Sequence, residues 1–263
     1  MKELICDKRI YLQSELINST GAAVHGFTGR GGGVSRGKVD GLNLGFRVGD
    51  DPESVKQNYR LVAADLEFDL ERTVLSRQTH TDNIRIVTEE DAGKGITKES
   101  DIYDTDGLMT NIRGITLVVF AADCVPVLFL DPIKHVVCAV HSGWRGTVKK
   151  IGGKAVNMMK EVYGSEPKDI IAAIGPCIGP CCFEFGLADA EKIFDSEYYR
   201  ALDNGKALVD ILSMNVDILK AAGVAESNID LANVCTVCNA DKYYSYRTHG
   251  AATGRQAAVI SVL

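Results

Sequence analysis

Apolar residues recur along this chain with two different periods. From Pro52 to Leu66, "PESVKQNYRLVAADL", they return every three to four positions, which predicts an amphipathic helix with Asp50 or Asp51 as cap and Pro52 in the favoured first position. Four later runs, 83–88, 115–122, 126–131 and 135–141, are short and rich in β-branched and aromatic residues, so they predict strands. Between the last two lies "DPIK", a turn-type segment, and the pair predicts a hairpin. Helical spacing returns from Thr147 to Tyr163, where Ile151, Ala155, Met158, Met159 and Val162 share a face. A buried strand over 169–175, a helix over 187–194, a helix over 208–223 closed by Gly223 and a last strand over 255–263 complete the pattern. The stretch before Pro52 is rich in glycine and turn residues.

Strands and helices are interspersed, but a hairpin argues against a purely parallel sheet. The expected fold is therefore a mixed-sheet domain of the α/β or α+β class. No repeat, low-complexity tract or Pro/Ser-rich linker divides the chain, so residues 1–263 read as a single domain.

Composition narrows the function classes. A hydrophobic content of 46% in 263 residues supports a substantial core, and no disulfide is needed to fold it. The net charge of -6 argues against nonspecific nucleic-acid binding, which depends on neutralising phosphates. No window approaches the length of a membrane span, and the N-terminus has no apolar stretch of signal-peptide length. The expectation is a cytoplasmic protein, a monomer or weak homo-oligomer, whose partner is a small molecule.

The soft-ligand inventory is eight cysteines and five histidines. Cys124 heads the strand 126–131 and His141 closes the strand 135–141, so a hairpin would turn their separation of 17 residues into proximity. His80, in the polar turn "SRQTHTDNI", is a third ligand candidate. One thiolate and two imidazoles suit Zn2+ with an open fourth position, where bound water becomes a hydroxide source near neutral pH. The same Cys124 and His141 also suit a metal-free thiol hydrolase, nucleophile and base, in which His80 has no part. A third reading makes Cys124 a buried small hydrophobe and the histidines ordinary loop residues. Residue identity and spacing leave all three open.

Other segments carry weaker signals. "GRGGGVSRG" (29–37) matches no nucleotide-binding pattern, yet Arg30 and Arg36 among glycines suit an anion such as phosphate. Asp106, at the end of an acidic segment, and Asp123, beside the thiol, are candidate acids or bases. Cys235 and Cys238 form a C-x2-C pair that, with Cys177 and Cys181 or Cys182, has the ligand count of a tetrathiolate site. The first half is no standard knuckle, and free buried thiols are the simpler expectation.

Taken in order, "HGFTGRGGG", "LNLGFRVGDDP", "RQTHTDNI", "TDGLMT", "ADCVPVLFLDP", "HSGWRGT", "IGPCIGPCCFEFG" and "YYSYRTHGAATGRQAAVI" closely resemble the YfiH-type family, also called the laccase-domain or peptidoglycan-editing-factor family. The likeness runs from about His25 to the C-terminus. It implies a catalytic zinc on His80, Cys124 and His141. It also implies a single α/β or α+β domain distantly similar to the catalytic domain of cytotoxic necrotizing factors. The implied activities are phosphorolysis of adenosine, inosine, guanosine and methylthioadenosine, and deamination of adenosine. Phosphate would then meet Arg30 and Arg247, and Asn43 falls at a motif position with them, as does Arg145. Against this stands a cysteine hydrolase or amidase acting on cell-wall precursors through Cys124 and His141. The resemblance assigns no role to His249, which reads as a surface residue, or to the second cysteines of the clusters.

The label of multicopper oxidase is testable on the sequence. A trinuclear copper cluster needs on the order of eight imidazoles, usually in His-X-His pairs. Five histidines and no His-X-His exclude a laccase of the usual kind. Cu2+ remains a substitute for zinc, because copper binds such ligands more tightly, with trace oxidase activity as a side reaction.

Overall fold

Two six-stranded sheets lie face to face in the computed structural model, which describes residues 1–263. The first runs Lys2–Cys6, Arg9–Gln13, Ala23–Thr28, Gln256–Val262, Thr116–Ala121, Thr73–Leu75; the second runs Ile229–Leu231, Ile171–Ile174, Val125–Asp131, Val136–Ser142, Gly107–Thr110, Ile84–Ile86. Most neighbours are antiparallel, but three pairs are parallel: Thr73–Leu75 with Thr116–Ala121, Ile84–Ile86 with Gly107–Thr110, and Ile171–Ile174 with Ile229–Leu231. The expected mixed sheet is therefore present, in an α/β domain with flanking helices.

Side chains alternate between two interiors with the period of a strand. Leu117, Val119 and Ile260 of the first sheet meet Leu128, Leu130, Val137 and Ala139 of the second between the sheets. The intervening residues Val127, Phe129, Cys138 and Val140 face outward onto the helices Ile151–Tyr163 and Ile211–Ala221. On the far side, Val118 and Val259 pack under the helix Pro52–Leu66. Central strands buried on both faces must be apolar at every position, which explains the unbroken runs in the sequence. No helix is long and apolar enough to cross a membrane.

The hairpin forms as expected, with Pro126 opposite His141 and Val125 opposite Ser142. The helix expected from Pro52 to Leu66 is also observed, and the Asp51 carboxylate accepts the Ser54 N–H as its cap. The helix expected over 147–163 is instead two, Trp144–Val148 and Ile151–Tyr163, broken where Lys150 adopts a left-handed φ of 57°. A buried polar group fixes that break: Asn215 Nδ2 donates to Thr147 Oγ1, and Ser142 Oγ donates to Asn215 Oδ1. The segment 208–223 begins as a strand, Lys206–Val209, and turns helical only after Asp210. That strand pairs with Glu184–Gly186 and Tyr199–Ala201 in a small third sheet that the pattern did not predict.

Candidate active site

The end of the hairpin brings Cys124 and His141 together, and the turn before Ile84–Ile86 adds His80. Donor atoms of His80, Cys124 and His141 all lie within 4.8 Å of one another, with Cys124 Sγ 3.8 Å from His80 Nε2. The two imidazole rings meet edge to face at 4.9 Å between centroids. His141 is buried, Cys124 is half-buried and His80 is exposed, so the cluster is closed on one side and open on the other.

Asp106 organises both histidines. Its carboxylate, fully buried, accepts a hydrogen bond of 2.7 Å from His141 Nδ1. The same two oxygens accept the backbone N–H groups of Thr79, His80 and Thr81 and the hydroxyl of Thr81. The first bond fixes the imidazole with a proton on Nδ1 and directs Nε2 toward the cluster. The others hold the turn on which His80 sits at a left-handed φ of 64°. Burial alone would raise the Asp106 pKa, but His141 and the Thr81 donors outweigh it and draw the group down to about 2.

The thiol and His141 shift in opposite directions. Burial raises the Cys124 thiol, yet His141 and then His80 favour the thiolate enough to bring it below its ordinary value. Burial opposes a proton on His141, but Cys124 and Asp106 raise its pKa. The pair therefore favours separated charges.

Space for this cluster depends on Gly143. Its φ of -64° suits any residue, but a Cβ there would stand 2.8 Å from His80 Cδ2 and 3.1 Å from Cys124 Sγ. The residue is small because the cluster is close.

Cys124, His80 and His141 open into a cavity of about 740 Å³. Aromatic and aliphatic side chains, among them Phe120, Trp144, Phe183 and Ile211, form much of its wall. Arg47, Arg77, Arg145, Arg247 and Arg255 also line it. Three of these cations stack over aromatic rings: Arg145 over Trp144 at 4.2 Å, Arg247 over Phe183 at 5.7 Å and Arg77 over Tyr103 at 5.9 Å. Arg255 is partly buried and donates to the carbonyls of Thr253 and Gly254, while burial lowers its pKa.

The other residues singled out in the sequence fall as follows. Asp123 lies at the cavity wall with both carboxylate oxygens occupied, one by the Thr236 hydroxyl and one by the Arg247 backbone N–H, each at 2.6 Å. Asn43 is buried behind the wall, where it accepts from Gly45 N and Arg255 N and donates to Asp50. It shapes the loop that presents Gly45 to Val48. Arg30 is not brought to the cavity: its guanidinium donates to the Ala240 carbonyl and stacks over Tyr244 at 5.0 Å, away from the walls. Arg36 and His249 are exposed. Arg47, Arg77 and Arg255 line the cavity without having stood out in the sequence, and Asp106, expected as an acid or base, is instead the carboxylate that holds both histidines.

Residues 24–263 match the family described as multi-copper polyphenol oxidoreductase laccase. The chain belongs to this laccase family. Purine nucleoside phosphorylase YlmD of Bacillus subtilis is 36% identical over 245 residues, 91% of this chain and 88% of that one. Adenosine deaminase RL5, from an unknown prokaryotic organism, is 34% identical over 236 residues, 84% of this chain and 89% of that one. The crystal structure of the hypothetical protein YfiH of Bacillus licheniformis superposes with a TM-score of 0.91 at 31% identity, over 98% of this chain and 97% of that one. The resemblance to YfiH-type proteins is borne out.

The laccase family's copper name does not match the donors present. Of five histidines only His80 and His141 converge; His25 is buried in the core with Ser14 N donating to its Nε2, and His135 lies in the hairpin turn. Two nitrogens and one sulfur within 4.8 Å fit a single borderline-soft ion and offer too few ligands for a multicopper cluster.

Proposed function

We propose that the chain is a purine nucleoside phosphorylase that also deaminates adenosine, with His80, Cys124 and His141 holding Zn2+. One observation carries this reading: a three-donor N/S cluster with an exposed side opens into a cavity of nucleoside size that also holds five arginines. The phosphorylase and deaminase names of the relatives agree with it. Cu2+ suits the same donors as a substitute.

The cavity's own residues account for binding. Aromatic walls offer faces on which a purine stacks, and burial of the base supplies much of the affinity. Phosphate needs cations that are not already neutralised, and Arg255 and Arg247 bond only to backbone carbonyls. In phosphorolysis a phosphate oxygen bonds to the anomeric carbon while the bond to the purine nitrogen breaks, and the purine leaves with the electron pair and takes up a proton. Arginines that fix the phosphate beside that carbon convert a bimolecular encounter into an oriented one. In deamination a water oxygen adds at C6 and ammonia leaves. When bound, zinc supplies Lewis acidity that activates water and polarises an electrophile. Asp106 keeps His141 Nε2 and His80 aimed at the cluster, and Asp123 acts as an anchor, tying the Arg247 segment beside Cys124.

A second reading rests on Asp106, His141 and Cys124, which form an acid, imidazole and thiol relay of the kind that activates a nucleophile. The likeness to the cytotoxic necrotizing factor fold belongs with this cysteine hydrolase or amidase. Incubation of adenosine with and without phosphate separates the two. Ribose 1-phosphate formed only with phosphate, and inosine formed without it, support the first. Neither product from a metal-loaded protein overturns it in favour of the hydrolase.

A further inference from the structure

Away from the cavity cluster, four thiols converge from two loops. Cys181, Cys182, Cys235 and Cys238 place their sulfurs within 4.8 Å of one another, with Cys238 Sγ 3.6 Å from Cys181 Sγ and 3.5 Å from Cys182 Sγ. Cys177 is not part of it; that thiol is buried in the core.

We propose that this cluster is a second metal site, a structural tetrathiolate that takes Zn2+ and does not take part in turnover. Its geometry is that of the ion. Four sulfurs bonded at about 2.3 Å to a tetrahedral ion lie about 3.8 Å apart, close to the separations found here. A disulfide would need a bond of about 2.05 Å between one pair and would leave the other two sulfurs unexplained.

Burial also separates this cluster from ordinary cysteines. A free cysteine normally serves as a small buried hydrophobe, yet Cys181 and Cys238 are exposed and Cys182 and Cys235 only half-buried. Of the four, only Cys182 packs against the core. Four thiolates this close would repel one another, and a bound cation would offset that repulsion.

The backbone assembles the site before any ion arrives. Cys177 N donates to the Val234 carbonyl and Thr236 N returns a bond to the Cys177 carbonyl, which locks the two loops in parallel. Gly179 N then donates to Cys235 Sγ at 3.3 Å. Such N–H to sulfur bonds orient a ligand and favour its thiolate. The pair Cys235 and Cys238 thus behaves as a knuckle, while Cys181 and Cys182 supply the other two ligands from consecutive positions.

An ion here would clamp the segments that build one side of the cavity. Thr236, inside the C-x2-C loop, donates its hydroxyl to Asp123, and Ile178 N donates to the Asp123 carbonyl. Ile178 and Phe183, on either side of Cys181 and Cys182, line the cavity.

Metal content of the full chain, purified under reducing conditions without chelator, tests this. Wild type should carry two zinc ions per chain, Cys124→Ala one, and Cys182→Ser/Cys238→Ser one. Co2+ loaded into Cys124→Ala reads the four-cysteine site with all its ligands in place. It should give the intense visible bands and strong near-ultraviolet sulfur-to-cobalt absorption of a tetrahedral tetrathiolate. One zinc per wild-type chain that Cys124→Ala abolishes, weak octahedral cobalt bands in Cys124→Ala, or a mapped disulfide among the four cysteines would each overturn the proposal.

Discussion

Asp106 and His141 are joined by a 2.7 Å hydrogen bond from imidazole Nδ1 to carboxylate, and the same carboxylate gathers the backbone of the turn that carries His80. One buried acid therefore sets the direction of two of the three donors. Asp106→Asn keeps the shape but removes the charge, and its amide cannot accept on both oxygens. We expect a loss of 10- to 100-fold, as a rough figure, in metal affinity and in kcat/KM, read by chelator competition and steady-state kinetics.

Gly143→Ala tests the crowding of the cluster. The added methyl would stand 2.8 Å from the His80 ring and 3.1 Å from the Cys124 sulfur, and the exposed His80 would have to move. The backbone itself accepts alanine at a φ of -64°. The expected result is reduced metal occupancy and at least about tenfold lower turnover, with a melting shift of only a few degrees, as for a change of about 1 kcal/mol. An unchanged metal content would show that His80 does not need its observed place.

Arg255 and Arg30 make opposite predictions. Arg255 lines the cavity without a carboxylate partner, whereas Arg30 is engaged with Ala240 and Tyr244 outside it. Arg255→Met should raise the KM for phosphate by about tenfold or more, consistent with loss of a charge-assisted bond of about 1.5–3 kcal/mol, and should impair phosphorolysis far more than deamination. Arg30→Met should leave the phosphate KM within about twofold.

How much of this was legible in the sequence depended on range. The hairpin was readable because Val125–Asp131 and Val136–Ser142 are buried on both faces and therefore apolar along most of their length, with only the four residues 132–135 between them. His80 stood out because so few soft ligands were available. Asp106 looked like the end of a solvated acidic loop, since nothing local reveals that Thr79, Thr81 and His141 will fold over it. The arginines come from four separate stretches of chain, so their convergence follows only from the tertiary fold. Arg30 misled because glycine-rich flanks suggest an anion loop, while its actual partner, Tyr244, is more than 200 residues away. The break at Lys150 needs a left-handed φ that a lysine does not announce.

His25 gives a pH prediction that is independent of the cluster. It is fully buried, and burial lowers its pKa from 6.5 to about 4, with Asp230 opposing weakly. The unfolded chain therefore binds a proton that the folded chain refuses between those values. Stability is fully present above pH 6.5 and falls as pH drops from 6.5 toward 4, by up to about 3 kcal/mol from this group. Denaturant unfolding across that range should show the slope in wild type and a flatter one in His25→Gln.

The most direct test of the central claim is His80→Ala, with zinc content and adenosine turnover measured on the same sample. His80 is exposed and holds no other structural contact than its neighbours in the cluster, so the fold should survive its loss. The cavity zinc should be lost together with both ribose 1-phosphate formation and inosine formation. A His80→Ala protein that keeps that zinc and both activities would contradict the claim.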